Sequence, residues 1–300
     1  MLAQSEHAQS VCESYAEANK ETPFARWLQA TERDAVSAVD LNVYSVPLST
    51  ANILRRILWG RCFASILTSA TLAPAGEFKH FFSKLGYGDA SQAIQLFGEF
   101  NYQDAVFYVP AMTSLPTNSM VHTEEIIDLI PKLLSKKAGS LVLFSSRRQM
   151  EDVASALEDS LEILVQGARS KQHLLDAHRV KIDAGEPSVL FGLASFAEGL
   201  DLPGPYCEEV IIAKLPFAVP DGPVDQAMGE WIESKGGSSF RDISLPDAAL
   251  RLMQASGRLL RSEADSGRIS LLDRRIVEKS YGKQLLEALP PFSRDIRNAC

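Results

Sequence analysis

Short apolar runs separated by stretches of helical period dominate the chain from about residue 36 onward. Residues 41–46, 64–68, 106–109, 141–144, 188–192, 210–213 and 268–272 predict strands. Most are apolar throughout, as strands buried on both faces of a parallel sheet are, and residues 162–165 are strand-like as well. After Phe144, Ser146 and Gln149 form an S-x-x-Q box, and Met150, Val153, Ala154 and Leu157 follow at helical spacing. Another helix is predicted from Lys171 to about Ala184, stopped by Gly185 and Pro187. Residues 245–261, LPDAALRLMQASGRLLR, predict a further helix started by Ser244, Pro246 and Asp247. This alternation predicts an α/β fold, a parallel sheet with helices on both faces. Residues 1–35 are polar and predict the helical tail of a preceding domain.

The 245–261 segment carries the most chemistry. Arg251, Gln254, Arg258 and Arg261 recur at intervals of three, four and three, so they share one side of a helix, with Leu252, Ala255, Ser256 and Leu259 for the other. One reading is a solvated arginine stripe; the other is a row of cationic groups reaching an anion.

Composition narrows the partners. Thirty basic against 38 acidic residues leave a formal charge of −8, which argues against broad electrostatic adhesion to nucleic acid but permits a narrow basic site. The sign reverses locally: six arginines from Arg251 to Arg275 face Glu263, Asp265 and Asp273. An apolar fraction of 46% and a charged fraction of 23% are ordinary for a globular chain. Cys12, Cys62, Cys207 and Cys300 are far apart with no C-x-x-C pair, so no metal-binding cysteine cluster is expected, and they read as free thiols. His173 and His178, five apart, do not make a zincin pair. No apolar run approaches the roughly 18 residues needed to span a bilayer, and the first residues lack a basic-then-apolar leader; a cytoplasmic location without membrane contact is the expectation.

Four segments in a definite order say more. Residues 68–71 read Thr-Ser-Ala-Thr after Phe63, Ile66 and Leu67; 141–149 read LVLFSSRRQ; 195–204 read SFAEGLDLPG; 254–261 read QASGRLLR. The chain resembles the second motor domain of superfamily-two helicases of the XPD/DinG type, whose motifs III, IV, V and VI occur in this order. The resemblance to the DinG branch extends through residues 214–233, KLPFAVPDGPVDQAMGEWIE, and covers about residues 36–295. It implies a RecA-like motor domain over residues 36–300, after the helical extension 1–35.

Two signatures of such motors are missing from the sequence. There is no G-x-x-x-x-G-K-[ST] loop to cradle nucleotide phosphates and no Asp-Glu-Ala-His box to hold magnesium. In the resembled family both lie on the first motor domain, with a cysteine-ligated 4Fe-4S cluster. ATP and Mg2+ are therefore expected to be bound mainly by that domain, and this chain alone is expected neither to hydrolyse ATP nor to unwind DNA.

The resemblance also assigns residues. Arg258 and Arg261 match the motif VI arginines and Gln254 its leading glutamine; one arginine is expected to act as the finger on the γ-phosphate, and the spacing does not choose between them. Gly257, in the same motif, is expected to border the bound nucleotide. Glu198, Gly199 and Asp201 follow a strand's carboxyl end, where open α/β sheets place ligands; they read either as the nucleotide-cleft wall or as a turn with a capping aspartate. Ser145, Ser146 and Arg147 read as contacts to one strand phosphate or, for Ser146, as a helix cap. Thr68, Ser69 and Thr71 read as motif III or as bare caps, and Gln166 and Lys171 as strand-contact candidates. Arg251, outside the motif, is expected to have a structural or surface role. The implied partners are single-stranded DNA, forked, DNA–RNA hybrid and repair structures, the first motor domain and replication proteins; the implied movement is 5′-to-3′. Two other readings stand: a non-catalytic nucleic-acid-binding or regulatory module, and a CRISPR-associated or exonuclease-fused relative.

Overall fold

The computed structural model describes residues 2–16, 23–32, 39–69, 72, 78–87, 93–94, 96, 100–197 and 199–297. In chain order the elements are α1 (Leu2–Ala16), β1 (Phe24–Glu32), β2 (Val39–Pro47), α2 (Ala51–Ile57), α3 (Lys79–Leu85), β3 (Ala105–Val109), α4 (Ser119–Leu133), β4 (Gly139–Phe144), α5 (Arg147–Leu157), β5 (Ile163–Val165), α6 (Lys171–Asp183), β6 (Ser188–Leu193), α7 (Ala194–Ala197), β7 (Glu209–Ile212), α8 (Pro223–Ser234), α9 (Leu245–Ser256), β8 (Gly267–Leu271), α10 (Arg275–Glu278), α11 (Gly282–Glu287) and β9 (Ser293–Ile296). Contacts group them into two units. One comprises Met1–Ala73, Glu77–Ile94 and Ala218–Pro246; the other comprises Pro74–Gly76, Gln95–Phe217 and Asp247–Cys300.

The second unit holds a seven-stranded sheet in the order β5-β6-β4-β7-β8-β3-β9, parallel throughout. Its central strands β4 and β7 are buried along their whole length, which explains the apolar runs 141–144 and 210–212 within them. Register sorts the side chains into two layers. Leu190, Leu141, Val210 and Ile269 align on one face, and Phe191, Val142 and Ile211 on the other. The second layer packs with Ile126 and Ile130 of α4 and Met150, Val153 and Leu157 of α5. Gly139 opens β4 where no side chain fits: a Cβ there would stand 2.0 Å from the Tyr206 carbonyl oxygen.

The first unit departs from expectation. α1 is helical as predicted, but Phe24–Glu32, within the stretch expected to be helical, is a strand paired antiparallel with β2. The expected strand at 41–46 thus exists, in a two-stranded sheet of its own rather than the parallel one. Trp27 stacks on Tyr44 at 4.7 Å across this pair, a cross-strand aromatic contact of the kind that stabilises such sheets. Residues 64–68 form no strand; Phe63 and Ile66 are exposed. An apolar run becomes a strand only beside an edge that accepts its N–H and C=O groups, and none pairs with it among the described residues.

Three further differences concern helix ends and an edge. α9 stops at Ser256 instead of Arg261, and it continues from a π-turn at Phe240–Ser244, so Ser244 is not its N-cap. Ser146 does cap α5, accepting from Gln149 N at 3.4 Å. The Gln149 side chain does not complete the box. It turns inward, donating to Thr123 Oγ1 at 3.1 Å and to His122 Nδ1 at 3.3 Å, because this position faces α4. β9, whose sequence SRDI gives no strand pattern, adds to the edge at β3.

One buried carboxylate gives a pH prediction. Glu209, at the start of β7, accepts from Arg268 Nε at 2.9 Å and Ser270 Oγ at 2.7 Å. Burial pushes its pKa up to about 7 from 4.5, against the pull of Ser270 and Arg268. The folded state therefore holds this proton more tightly than the unfolded chain does. The resulting stabilisation is complete below about pH 4.5 and is lost as pH rises through 7, by up to roughly 3 kcal/mol. Urea melts from pH 4.5 to 7.5 are expected to show wild type losing stability relative to Glu209→Gln; parallel curves would refute the assignment.

Candidate functional site

The arginines expected on one helix face are brought together by a turn instead. Past Ser256, the N–H groups of Gly257, Arg258 and Leu259 bond back to Met253, Ala255 and Ser256, while Leu259 and Leu260 are buried and pull the chain inward. Arg258 and Arg261 then point at one acceptor. Arg258 Nη1 donates to the Leu200 carbonyl at 3.1 Å and Arg261 Nη2 donates to the same oxygen at 2.6 Å. Arg258 Nε also donates to the Gln254 carbonyl at 3.3 Å. Arg261 Nε is buried without a hydrogen-bond partner, with Asp201 Oδ1 4.0 Å away. Gly257 sits in the turn, where a Cβ would lie 3.3 Å from the Met253 oxygen. Arg251 is exposed on α9.

The loop that receives these groups follows β6 and α7. Gly199 has φ +69° with open space where a Cβ would be, a conformation that favours glycine. Leu200 and Leu202 are buried and anchor the loop, and the Asp201 side chain is largely exposed. Glu198 lies outside the described residues. α6 holds the loop's other flank: Arg179 Nη2 donates to the Asp201 carbonyl at 3.2 Å, and His178 Nε2 donates to the Tyr206 carbonyl at 2.7 Å. His178 Nδ1 lies 2.8 Å from Ser188 Oγ, and burial lowers the pKa of this histidine, as suits a neutral ring.

Asp265 secures the turn after Arg261. It accepts from the N–H groups of Arg261, Ser262 and Gly204 at 2.7, 2.9 and 3.0 Å and from Ser262 Oγ at 2.6 Å. Burial alone would raise its pKa, but the Ser262 hydroxyl and these backbone donors outweigh that and hold it below the usual carboxylate range. Arg179, His178 and Asp265 escaped sequence reading. Each lies outside the motifs, and only the S-x-x-D spacing of Ser262 and Asp265 offered a local signal.

Ser145, Ser146 and Arg147 stand at the carboxyl end of β4. Ser145 is exposed, and Arg147, half exposed, lies 3.9 Å from Glu151. Its Nη1 borders Gly167, where a Cβ would approach to 3.3 Å. The loop after β5 is therefore a neighbour of these residues. Gln166 Oε1 accepts from Leu193 N at 2.7 Å, tying that loop to β6, and the Lys171 ammonium lies 5.5 Å over the Phe196 ring. Thr68 and Ser69 are exposed residues of the other unit, and Thr71 lies outside the described residues.

A parallel sheet with helices on its faces, together with a paired-arginine turn that leads into β8 and docks on a glycine-bearing loop, defines the class, a RecA-like helicase C-terminal lobe. The chain belongs to the helicase C-terminal domain family, in its DinG/XPD branch; the family's model matches residues 130–292. It is similar to the ATP-dependent DNA helicase DinG of Photobacterium profundum, 42% identical over 93% of this chain and 41% of that protein. It is likewise similar to the protein of that name from Escherichia coli (strain K12), 35% identical over 90% of this chain and 38% of that protein. The chain thus spans about two fifths of the length of these curated relatives. The solved structure of S. tokodaii Xpd4 shares the fold with a TM-score of 0.53 at 16% identity, covering 86% of this chain and 50% of that one. Among the described residues no helix is long and apolar enough to cross a membrane.

Proposed function

We propose that this chain is the second motor domain of an ATP-dependent, 5′-to-3′ DNA helicase of the DinG/XPD type, working in DNA repair and replication. The observation that carries this reading is the convergence of Arg258 and Arg261 on the Leu200 carbonyl beside Gly199 and Asp201. Two guanidinium groups at an open glycine suit an anionic phosphate, since arginine presents a rigid fork of donors to such oxygens. Phosphoryl transfer depends mostly on positioning and charge stabilisation. In this reading both arginines face the ATP held with Mg2+ by the first motor domain, one of them as the finger on its γ-phosphate, with Gln254 beside them in the catalytic set and Gly257 bordering the nucleotide. Glu198, Gly199 and Asp201 form the facing wall of the cleft. The first motor domain and a 4Fe-4S cluster lie in the part of the polypeptide corresponding to the relatives' remaining length.

Ser145, Ser146, Arg147, Gln166 and Lys171 line the strand path in this reading, and Thr68, Ser69 and Thr71, matching motif III, are further strand contacts. Such contacts go to phosphates and carry little base information, so binding tolerates sequence and weakens with salt. Forked DNA, DNA–RNA hybrids and repair intermediates are then substrates, and replication proteins candidate partners. The deciding experiment measures ATP turnover with and without single-stranded DNA. DNA-stimulated turnover is expected from the full-length polypeptide and none from residues 1–300 alone; turnover by the shorter chain would refute the division of labour. Ser146→Ala with Arg147→Ala is expected to weaken oligonucleotide binding and flatten its salt dependence by about 0.7 in log–log slope for each phosphate no longer held. Unchanged affinity at every salt would remove the pair from the path.

A further inference from the structure

Lys214 opens the 214–233 segment, to which the resemblance assigns no role. It follows β7, and the register that sets Leu143 beside Ile212 and Ile212 beside Leu271 carries on through the Ala213-to-Leu143 and Leu272-to-Ile212 backbone bonds. Lys214 therefore falls, at the carboxyl edge, between Ser145 on one side and Asp273 on the other. Asp273 is already committed. Fully buried, it accepts from Leu215 N at 2.8 Å, from Arg275 N at 3.0 Å and from Arg275 Nη2 at 2.6 Å. Lys214 is half-buried and has no hydrogen bond or ion pair among the described residues. Desolvation, followed by the neighbouring Arg275 charge, lowers its pKa, while Asp273 opposes the shift. A partly dehydrated cation beside another cation is costly unless an acceptor arrives. This one stands where open α/β sheets bind ligands, next to the exposed Ser145 and two residues short of the Arg147 row.

We propose that Lys214 is a phosphate-contacting residue of the nucleic-acid path, meeting the strand backbone beside Ser145. The inference rests on the strand-binding reading above and adds a residue to it. Being a point charge with three donors, lysine takes phosphate without reading a base, so the contact serves grip rather than sequence choice.

The test uses the full-length protein and a fluorescent oligo-dT, titrated from 0.05 to 0.3 M salt in the order of magnitude where counterion release dominates. Lys214→Ala is expected to weaken binding roughly five- to tenfold at about 0.1 M salt and to flatten the log–log salt slope by about 0.7, the single-strand value for one phosphate. Lys214→Arg is expected to retain both affinity and slope. The DNA concentration giving half-maximal stimulation of ATP turnover should rise while the KM for ATP at saturating DNA stays put. Lys214→Met keeps the aliphatic stem and should reproduce the alanine result if Lys214→Ala melts early. An unchanged affinity and slope in the Met variant would overturn the proposal, and so would a raised KM for ATP with DNA affinity intact, which would give the phosphate to the nucleotide. A wild-type protein without DNA-stimulated turnover sinks the helicase reading itself; a stimulated wild type with an inert Lys214 sinks only this contact.

Discussion

Arg258→Ala and Arg261→Ala, each in the full-length protein, are expected to divide sharply in DNA-stimulated ATP turnover. An arginine finger contributes roughly 10³ to 10⁵ in rate, so at least one variant should fall by about three orders of magnitude or more. The larger drop identifies the finger. Both side chains also hold the Leu200 carbonyl, so thermal melts must show that the loop remains folded. A lysine replacement separates charge from geometry: it keeps the charge but loses the fork, and little recovery is expected. If both alanine variants keep turnover within a few-fold of wild type, neither guanidinium stabilises the transferring phosphoryl group.

Asp273→Ala is expected to be strongly destabilising. The carboxylate is fully buried, joins the end of β8 to Leu215 after β7, and pairs with Arg275, itself 19% exposed. Removing one partner of a buried ion pair strands the other charge and typically costs about 3–5 kcal/mol. For a chain of this size that is a melting shift on the order of 10 °C. Arg275 also stands over the Phe217 ring, so the loss should reach the segment that follows β7. Adding Arg275→Met to Asp273→Ala should recover part of the stability, because the stranded cation goes with it. A single variant melting within about 2 °C of wild type would show that water or another acid compensates.

The parallel strands of the sheet were legible because burial on both faces demands apolar runs, and β4, β6, β7 and β8 appear within two residues of where those runs predict them. The end of α6 at Gly185, φ +78°, was legible for a local reason too. Strand Phe24–Glu32 was not: its exposed residues mix Arg26, Gln29 and Thr31 with Leu28 and Ala30, so no clean alternation marks it, and pairing with Val39–Pro47 makes it a strand. Nor was the break in the arginine helix. QASGRLLR has a continuous helical period, and the burial of Leu259 and Leu260, with Asp265 taking the N–H groups of Arg261 and Ser262, bends it into a turn.

The same division runs through the site. Which residue types lie in which order, and hence the family and the arginine pair, is written in local sequence, since motif spacing and strand periodicity are short-range properties. That Arg258 and Arg261 share one carbonyl 58 and 61 residues upstream, that Gln149 turns to His122, and that Lys214 lies between Ser145 and Asp273 was decided by packing alone. Backbone acceptors and buried neighbours carry no residue-type signature, so distant segments reveal their meeting only once the fold has brought them together.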